Sequence, residues 1–274
     1  MLRARVEAAG LSGGEPLRVP TRASDEQILL AHDAAYLQRV VSGTLAPAEI
    51  RRIGFPWTMQ MVERSRRSSG ATIEACRAAL EQGVAVSLAG GTHHAFRDHG
   101  AGFCVFNDAA IAALVMQVEG LARRVLVVDC DVHQGDGTAA ILSDDASVFT
   151  FSIHAARNFP ARKADSDLDI ALADSTGDQL YLDLLEDGLC HAFSASQPDL
   201  AIYLAGADPF EGDRLGRLSL SKCGLGSRDR MLFSMCADLG VPTAVVMAGG
   251  YARHIDDTVD IHFNTVRLAA ELMR

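Results

Sequence analysis

The chain has 274 residues, with 25 Lys and Arg against 35 Asp and Glu, a formal net charge of -10, and 49% hydrophobic residues. This length and apolar content suffice for one large domain with a sizeable core, while the acidic balance argues against a dedicated nucleic-acid surface and favours cationic substrates. No apolar stretch approaches the roughly 18 to 20 residues that span a bilayer. No charged and apolar signal segment opens the chain and the six cysteines form no Cys-x-x-Cys pair, which predicts a reduced, cytoplasmic protein without a membrane partner.

In chain order, Leu2-Arg-Ala-Arg-Val-Glu reads as helical, and the pattern predicts helices over about 24–41 and 58–82, with breaks at Pro47 and between Gly54 and Trp57. These first eighty or so residues are expected to pack outside a sheet. Short apolar runs then recur at 84–88, 125–128, 148–151, 200–204 and 243–247, and read as buried parallel strands. Helical segments separate or follow them, at 106–118, 178–196, 227–239 and about 256–273. The alternation predicts a single α/β domain over 1–274, with a mostly parallel central sheet and helices on both faces.

Chemically capable residues follow these strands one after another: His93 and His94, then Asp129 to Gly137, then Ser152 and His154, then Asp208, then Tyr251. In open α/β sheets ligands bind outside the carboxyl ends of the strands, so these clusters are expected to face one crevice. Asp129, Asp131 and His133 stand on alternate residues where the run ending Val-Val-Asp129 gives way to Gln134-Gly-Asp-Gly137. An extended chain would send Asp131 away from the other two, so the turn after Cys130 must re-aim them if they converge. Asp131 and His133 with Asp208 supply the two carboxylates and one imidazole that a catalytic metal needs when positions stay open for water and substrate. Aspartates after strands also serve simply as turn or capping residues. Cys130 reads as a small core filler rather than a ligand.

The adjacent imidazoles His93 and His94 follow a Gly-Gly turn and can act as base and acid if different carboxylates tune them. Asp129 and Asp136 are available to orient one imidazole each through its distal nitrogen. Tyr251, in Gly249-Gly-Tyr251, is placed to donate a hydrogen bond to a carbonyl oxygen as it gains charge, or simply to cap the sheet. Phe103, after Gly102, and Phe159 are candidates to flank a narrow entrance that grips an aliphatic stem.

Together, Gly90-Gly-Thr-His-His-Ala95, Gly102-Phe-Cys-Val-Phe-Asn-Asp108, Asp129-Cys-Asp-Val-His-Gln-Gly-Asp-Gly137, Gly206-Ala-Asp208 and Gly249-Gly-Tyr251 resemble the histone deacetylase family, with its arginase-deacetylase fold. The likeness begins near His32-Asp-Ala-Ala-Tyr-Leu37, and the compact length with Ser152-Ile-His154 is most similar to class IV-type deacetylases and their bacterial relatives. Family members usually carry a further strand and turn before that point, so a shortened N-terminus is expected.

The resemblance implies zinc held by Asp131, His133 and Asp208, with His93 paired to Asp129 and His94 paired to Asp136 as the general base; carboxylate and imidazole ligands suit iron(II) as well. It also implies that Tyr251 polarises the acyl carbonyl and that Gly102, Phe103 and Phe159 wall the tunnel. A potassium ion is implied at Asp129, the Ser152 hydroxyl and main-chain oxygens of Asp131, His133 and Ile153. The implied activity is hydrolysis of an acylated amine, either an acyl-lysine protein or peptide or an acylated small amine such as an acetylpolyamine. Two alternatives are a binding protein for such groups that has lost turnover, and a binuclear manganese ureohydrolase. The latter's Asp-x-His-x-Asp pattern is interrupted here by Gly135.

Overall fold

The computed structural model describes residues 1–12 and 16–272. All five apolar runs form strands: β1 (Val84–Ser87), β2 (Val125–Asp129), β3 (Val148–Ala155), β5 (Leu200–Leu204) and β6 (Thr243–Val246). A sixth, β4 (Leu168–Leu172), escapes an apolar-run search because Asp169 and Ala171 are exposed on an edge strand that pairs only with β3. The strands join one parallel sheet in the order β1-β6-β5-β2-β3-β4.

Alternation along the central strands divides the apolar side chains between two layers. Val125, Val127, Ile202, Leu204 and Val246 pack with Ile73 and Ile111 on one face, beneath α5 (Met59–Gln82) and α6 (Asp108–Val118). Leu126, Val128, Tyr203 and Val245 pack on the other with Leu185, Leu232 and Ile261, beneath α8 (Asp178–Ser196), α9 (Lys222–Leu239) and α10 (Ile255–Leu272). Cys130 lies in this second layer as a buried filler. The expected final helix is α10, and Met273 at its expected end lies outside the described residues.

The N-terminal region differs in detail from its sequence pattern. α1 (Leu2–Ala8) packs against α10, but the segment read as one helix over 24–41 is two, α2 (Asp25–Ile28) and α3 (Ala34–Ser42). The chain is drawn away between them because Asp33 N donates to Arg97 O at 2.8 Å and His32 Nδ1 donates to Phe96 O at 2.8 Å. Pro47 begins a helix rather than a break, since α4 (Pro47–Ile53) carries it in its first turn, where no amide hydrogen is needed. α7 (Asp136–Leu142) starts inside the glycine-rich segment that reads as a turn.

Register sets the site. Asp129 is opposite Ser152 on one side and Leu204 on the other, and Leu204 is opposite Val246, so these strands end level with one another. From β2 the chain moves outward to β3 and β4, whereas from β5 it moves the other way to β6. The ends of β2 and β5 therefore flank a topological switch point, where a crevice opens between diverging connections.

His32 is buried, with Nε2 accepting from Asn107 N at 2.9 Å, and burial holds its imidazole neutral down to about 4. Below pH 6.5 the unfolded chain binds a proton that the folded chain refuses. This contribution to stability is thus intact above about 6.5 and shrinks as pH falls towards about 4, by at most about 3 kcal/mol. His32→Gln is expected to be less stable than the parent at pH 7.5, yet to lose less stability on acidification to pH 4.5, as read by urea unfolding at both pH values. Equal acid losses in the two proteins would remove His32 as a source.

Candidate functional site

Two hydrogen-bond networks shape the turns after β1 and β2. Asp108 is fully buried, and its two carboxylate oxygens accept from Gly91 N (3.0 Å), Thr92 N (2.6 Å), Thr92 Oγ1 (2.6 Å) and Thr72 Oγ1 (2.5 Å). Asn107 caps α6 through Oδ1 and donates from Nδ2 to Ala95 O (3.1 Å) and Thr138 Oγ1 (3.0 Å). Between them these side chains fix the segment bearing His93 and His94. Beyond β2, Asp129 Oδ1 accepts from Asp131 N at 3.1 Å and Asp131 Oδ1 accepts from His133 N at 2.9 Å, two Asx-type turns that bend the chain out of its extended course. This bend supplies the re-aiming that strict alternation required.

The result is a convergence. Asp131, His133 and Asp208 each offer a donor atom within 4.8 Å of the others, a grouping unmatched elsewhere among the described residues. His133 Nδ1 is 2.9 Å from Asp131 Oδ1 and 3.3 Å from Asp208 Oδ2. Asp131 Oδ2 accepts from Gly249 N at 2.8 Å and Asp208 Oδ1 accepts from Val132 N at 2.9 Å. Asp208 Oδ2 is buried with no aligned donor among the described residues. Any Cβ on Gly249 would run into the carboxylates of Asp208 and Asp131, so backbone occupies the space where a side chain would cover these oxygens.

Charge follows from this crowding. Burial and the neighbouring Asp131 push the Asp208 carboxyl up to about 7. Burial works against a charged His133, but its contact with Asp131 and the negative charge of Asp131 and Asp208 outweigh it and lift the imidazole to about 11. A cluster that grips a proton this firmly, with one carboxylate oxygen left bare, has the donor set and electrostatics of a site for a divalent cation.

The paired histidines occupy the wall beside it. His93 Nδ1 is 2.6 Å from Asp129 Oδ2, and His94 Nδ1 is 2.6 Å from Asp136 Oδ1. Their ring centroids are 4.1 Å apart, but their titration diverges. For His93 burial opposes the charge, yet Asp129 and Asp131 together raise it to about 9. For His94 burial and the adjacent His93 prevail over Asp136 and lower it to about 4.

His93, His94, Asp131, His133 and Asp208 line a cavity of about 480 Å³ together with Gly102, Phe103, Phe159 and Tyr251. Phe103 and Phe159 are each 46% exposed, as befits a rim, and Phe159 meets the His94 ring edge-on at 4.8 Å. Phe103 takes a left-handed φ of 65°, held by its N–H bond to Ile53 O at the end of α4 and by stacking on Phe55. Gly102 must be a glycine, because a Cβ there would sit 2.5 Å from His94 Cδ2 and 3.1 Å from Phe159 Cε1. Tyr251 is half-buried near Phe103, and burial together with Asp131 and Asp208 raises its phenol well above the usual range. Behind the cavity, Ser152 Oγ lies 3.0 Å from His154 Nδ1 and Ile153 is fully buried. Gly135 leaves room for the His93–Asp129 pair, since a Cβ there would press on both partners.

Arg228 was not flagged by sequence pattern, because an arginine beside an aspartate on a helix reads as a solvated face. It is wholly buried, forked onto Asp229 Oδ1 at 2.9 and 2.8 Å, and its Nη1 donates to Gly206 O (2.6 Å) and Cys130 O (3.3 Å). One guanidinium thus braces the two turns that carry Asp131 and Asp208. Asp213 also went unremarked; it ties Tyr251 N (2.6 Å) to Leu215 N and Gly216 N.

The sequence matches the histone deacetylase domain over residues 1–266. The chain belongs to the histone deacetylase family. It is 47% identical over 243 residues to an uncharacterised protein of Picosynechococcus sp., across 89% of this chain and 81% of that one. Histone deacetylase 2 of Arabidopsis thaliana is 30% identical over 256 residues, across 88% of this chain and 66% of that one. The crystal structure of an HDAC homologue complexed with SAHA superposes with a TM-score of 0.84 at 24% identity, covering 98% of this chain and 77% of that one. The HDA15 HD domain gives a TM-score of 0.81 at 23% identity, over 98% and 81% of the two chains. The family's fold is therefore the fold of this chain, and no helix among the described residues is long and apolar enough to cross a membrane.

The bracing by Arg228 has a measurable consequence. Arg228→Met strands Asp229 in the core and releases both carbonyls, and is expected to lower unfolding free energy by about 3 to 5 kcal/mol, measured in urea. Binding of a divalent ion at the Asp131, His133 and Asp208 cluster, probed with added zinc by chelator competition under conditions where the variant is folded, is expected to weaken with it. Parental values for both would show that Arg228 braces nothing.

Proposed function

We propose that this histone deacetylase-family hydrolase cleaves the amide of an acylated amine, most simply an acetyl-lysine or related acyl-lysine, with acetylpolyamines or small metabolite amides as the alternative substrates. The observation that carries the reading is the convergence of Asp131, His133 and Asp208 at the floor of a cavity whose walls bear His93, His94 and Tyr251. Asp131, His133 and Asp208 would hold a divalent ion, zinc or iron(II), which when bound supplies Lewis acidity and lowers the pKa of water.

The remaining steps belong to side chains. Asp136 accepts a hydrogen bond from the Nδ1–H of His94, leaving Nε2 unprotonated to accept the proton lost by the attacking water. The same nitrogen then returns that proton to the departing amine. His93, kept charged by Asp129 and Asp131, adds a positive field beside the reacting carbon. Tyr251, whose phenol stays protonated at neutral pH, donates to the carbonyl oxygen as negative charge develops there. Phe103 and Phe159, set across the rim with Gly102 giving them room, admit a slender aliphatic stem and exclude bulk. The proposal includes potassium behind the site, at Asp129, Ser152 Oγ and main-chain oxygens of Asp131, His133 and Ile153; the register of β2 and β3 supports it in that Asp129 stands opposite Ser152. Gly135 in place of a third carboxylate favours one divalent ion over a binuclear manganese centre.

His94→Ala and Tyr251→Phe are each expected to reduce kcat/KM on an acetyl-lysine peptide by about two to three orders of magnitude while metal content stays at one ion per chain. Turnover by chains loaded separately with zinc and iron, with metal counted by mass spectrometry, provides the check. Near-parental activity in either variant, or two manganese ions per chain, would overturn the assignment.

A further inference from the structure

The mouth of the cavity carries charge that the hydrolytic steps do not use. Arg157 and Arg217 line it, and within that lining the other ionisable side chains are the histidines, Cys104 and Tyr251, and the buried carboxylates Asp131 and Asp208. The two arginines come from different segments, one following β3 and the other between β5 and α9. Asn158, itself buried, joins these segments: its Nδ2 donates to Leu215 O at 2.7 Å and its Oδ1 accepts from Arg217 N at 2.9 Å. Ser175 N closes the arrangement by donating to Arg217 O at 2.7 Å. The backbones are fixed while the guanidinium groups reach solvent, with side-chain exposures of 75% for Arg157 and 50% for Arg217.

Both arginines share a single counter-charge. Asp174 Oδ2 lies 3.6 Å from Arg157 Nη1 and 3.0 Å from Arg217 Nη1. One carboxylate facing two guanidinium groups leaves a net positive charge. Arg214 adds another, its Nε donating to Tyr251 O at 3.1 Å. Asp213 in the same segment offers little in return, because it is buried and its oxygens accept the backbone N–H groups of Leu215, Gly216 and Tyr251. The rim is therefore positive on a chain whose formal net charge is -10. The cationic preference expected from overall composition is reversed where a substrate enters.

With the acyl group at the cavity floor, an acylated lysine leaves its α-carbon at this mouth. We propose that Arg157 and Arg217 select acylated amines that carry a carboxylate next to the α-carbon. The carboxylate comes either from acidic neighbours of an acyl-lysine in a peptide or from the α-carboxylate of the free acylated amino acid. Stretches rich in lysine and arginine are disfavoured at the same place. This inference rests on the deacylase reading for its substrate geometry, but its selectivity is measurable through binding alone.

The test uses three fluorescent acetyl-lysine peptides of equal length flanked by Glu, Gln or Lys, titrated by anisotropy against the zinc-loaded protein and its R157Q and R217Q variants. Hydrolysis is followed in parallel, with free Nε-acetyl-lysine compared against its α-carboxamide. Glu flanks are expected to bind about tenfold more tightly than Lys flanks at low salt, and the ratio is expected to shrink as ionic strength rises. Each variant is expected to bring the ratio closer to one. R157Q, which loses only the looser and more exposed contact to Asp174, keeps the comparison valid if R217Q disturbs the loop. Preference for Glu flanks in binding without hydrolysis of any substrate would sink the deacylase reading and keep the rim assignment. Hydrolysis with reversed flank preference, or with equal flank preference and no discrimination between the free amino acid and its amide, would sink the rim assignment alone. A peptide preference without discrimination between the free amino acid and its amide would assign the acidic neighbours as the source of the carboxylate, and the opposite pattern would assign the α-carboxylate.

Discussion

Packing of negative charge at the ends of β2 and β5 is the constraint around which the rest of the molecule is arranged. Asp129, Asp131 and Asp208 are buried within one neighbourhood, where water cannot screen them and each raises the cost of ionising the next. The fold answers with backbone N–H groups from Asp131, Val132, His133 and Gly249, with the imidazoles of His93 and His133, and with a guanidinium behind the turns. All of these groups except the guanidinium, which α9 carries, are held by the loops that follow strands of the parallel sheet. The sheet acts as a frame that keeps like charges closer together than they would settle on their own.

The two histidines show how finely position tunes chemistry. Both are buried and both meet a carboxylate through Nδ1 at 2.6 Å, so a count of neighbours would give them one character. They differ because His93 also lies 3.9 Å from Asp131, whereas His94 lies against His93 and the aromatic edge of Phe159. A second negative charge keeps one imidazole protonated, and a positive neighbour with an apolar wall keeps the other neutral.

Much of this was legible in the sequence because it is local. The apolar runs mark five of the six strands, and from the clusters that follow them His93, His94, Asp131, His133, Asp208 and Tyr251 line the cavity. What stayed hidden depends on contacts between distant parts of the chain. Nothing around Arg228 distinguishes a buried brace from a solvated arginine, since its partners at Cys130 and Gly206 are main-chain oxygens and carry no side-chain signature. Asp108 stands inside a recognisable motif, but its service to Gly91 and Thr92 appears only once α6 is seated against the turn after β1. β4 was missed because an edge strand with one wet face has no continuous apolar run, and the division of α2 from α3 because the pull comes from a loop more than sixty residues away.

The donors of the floor cluster lie in the turns that follow β2 and β5, strands far apart along the chain that become neighbours only when the sheet closes. No short stretch of the polypeptide holds the whole set, so an ion in solution meets at most an Asp-x-His fragment until that closure is complete. A divalent ion held by this set would consequently be taken up late in folding, and would report on the whole topology rather than on any one segment. A chain that mispaired its central strands would lack the gathered donor set, which would link quality of folding to competence without any further device.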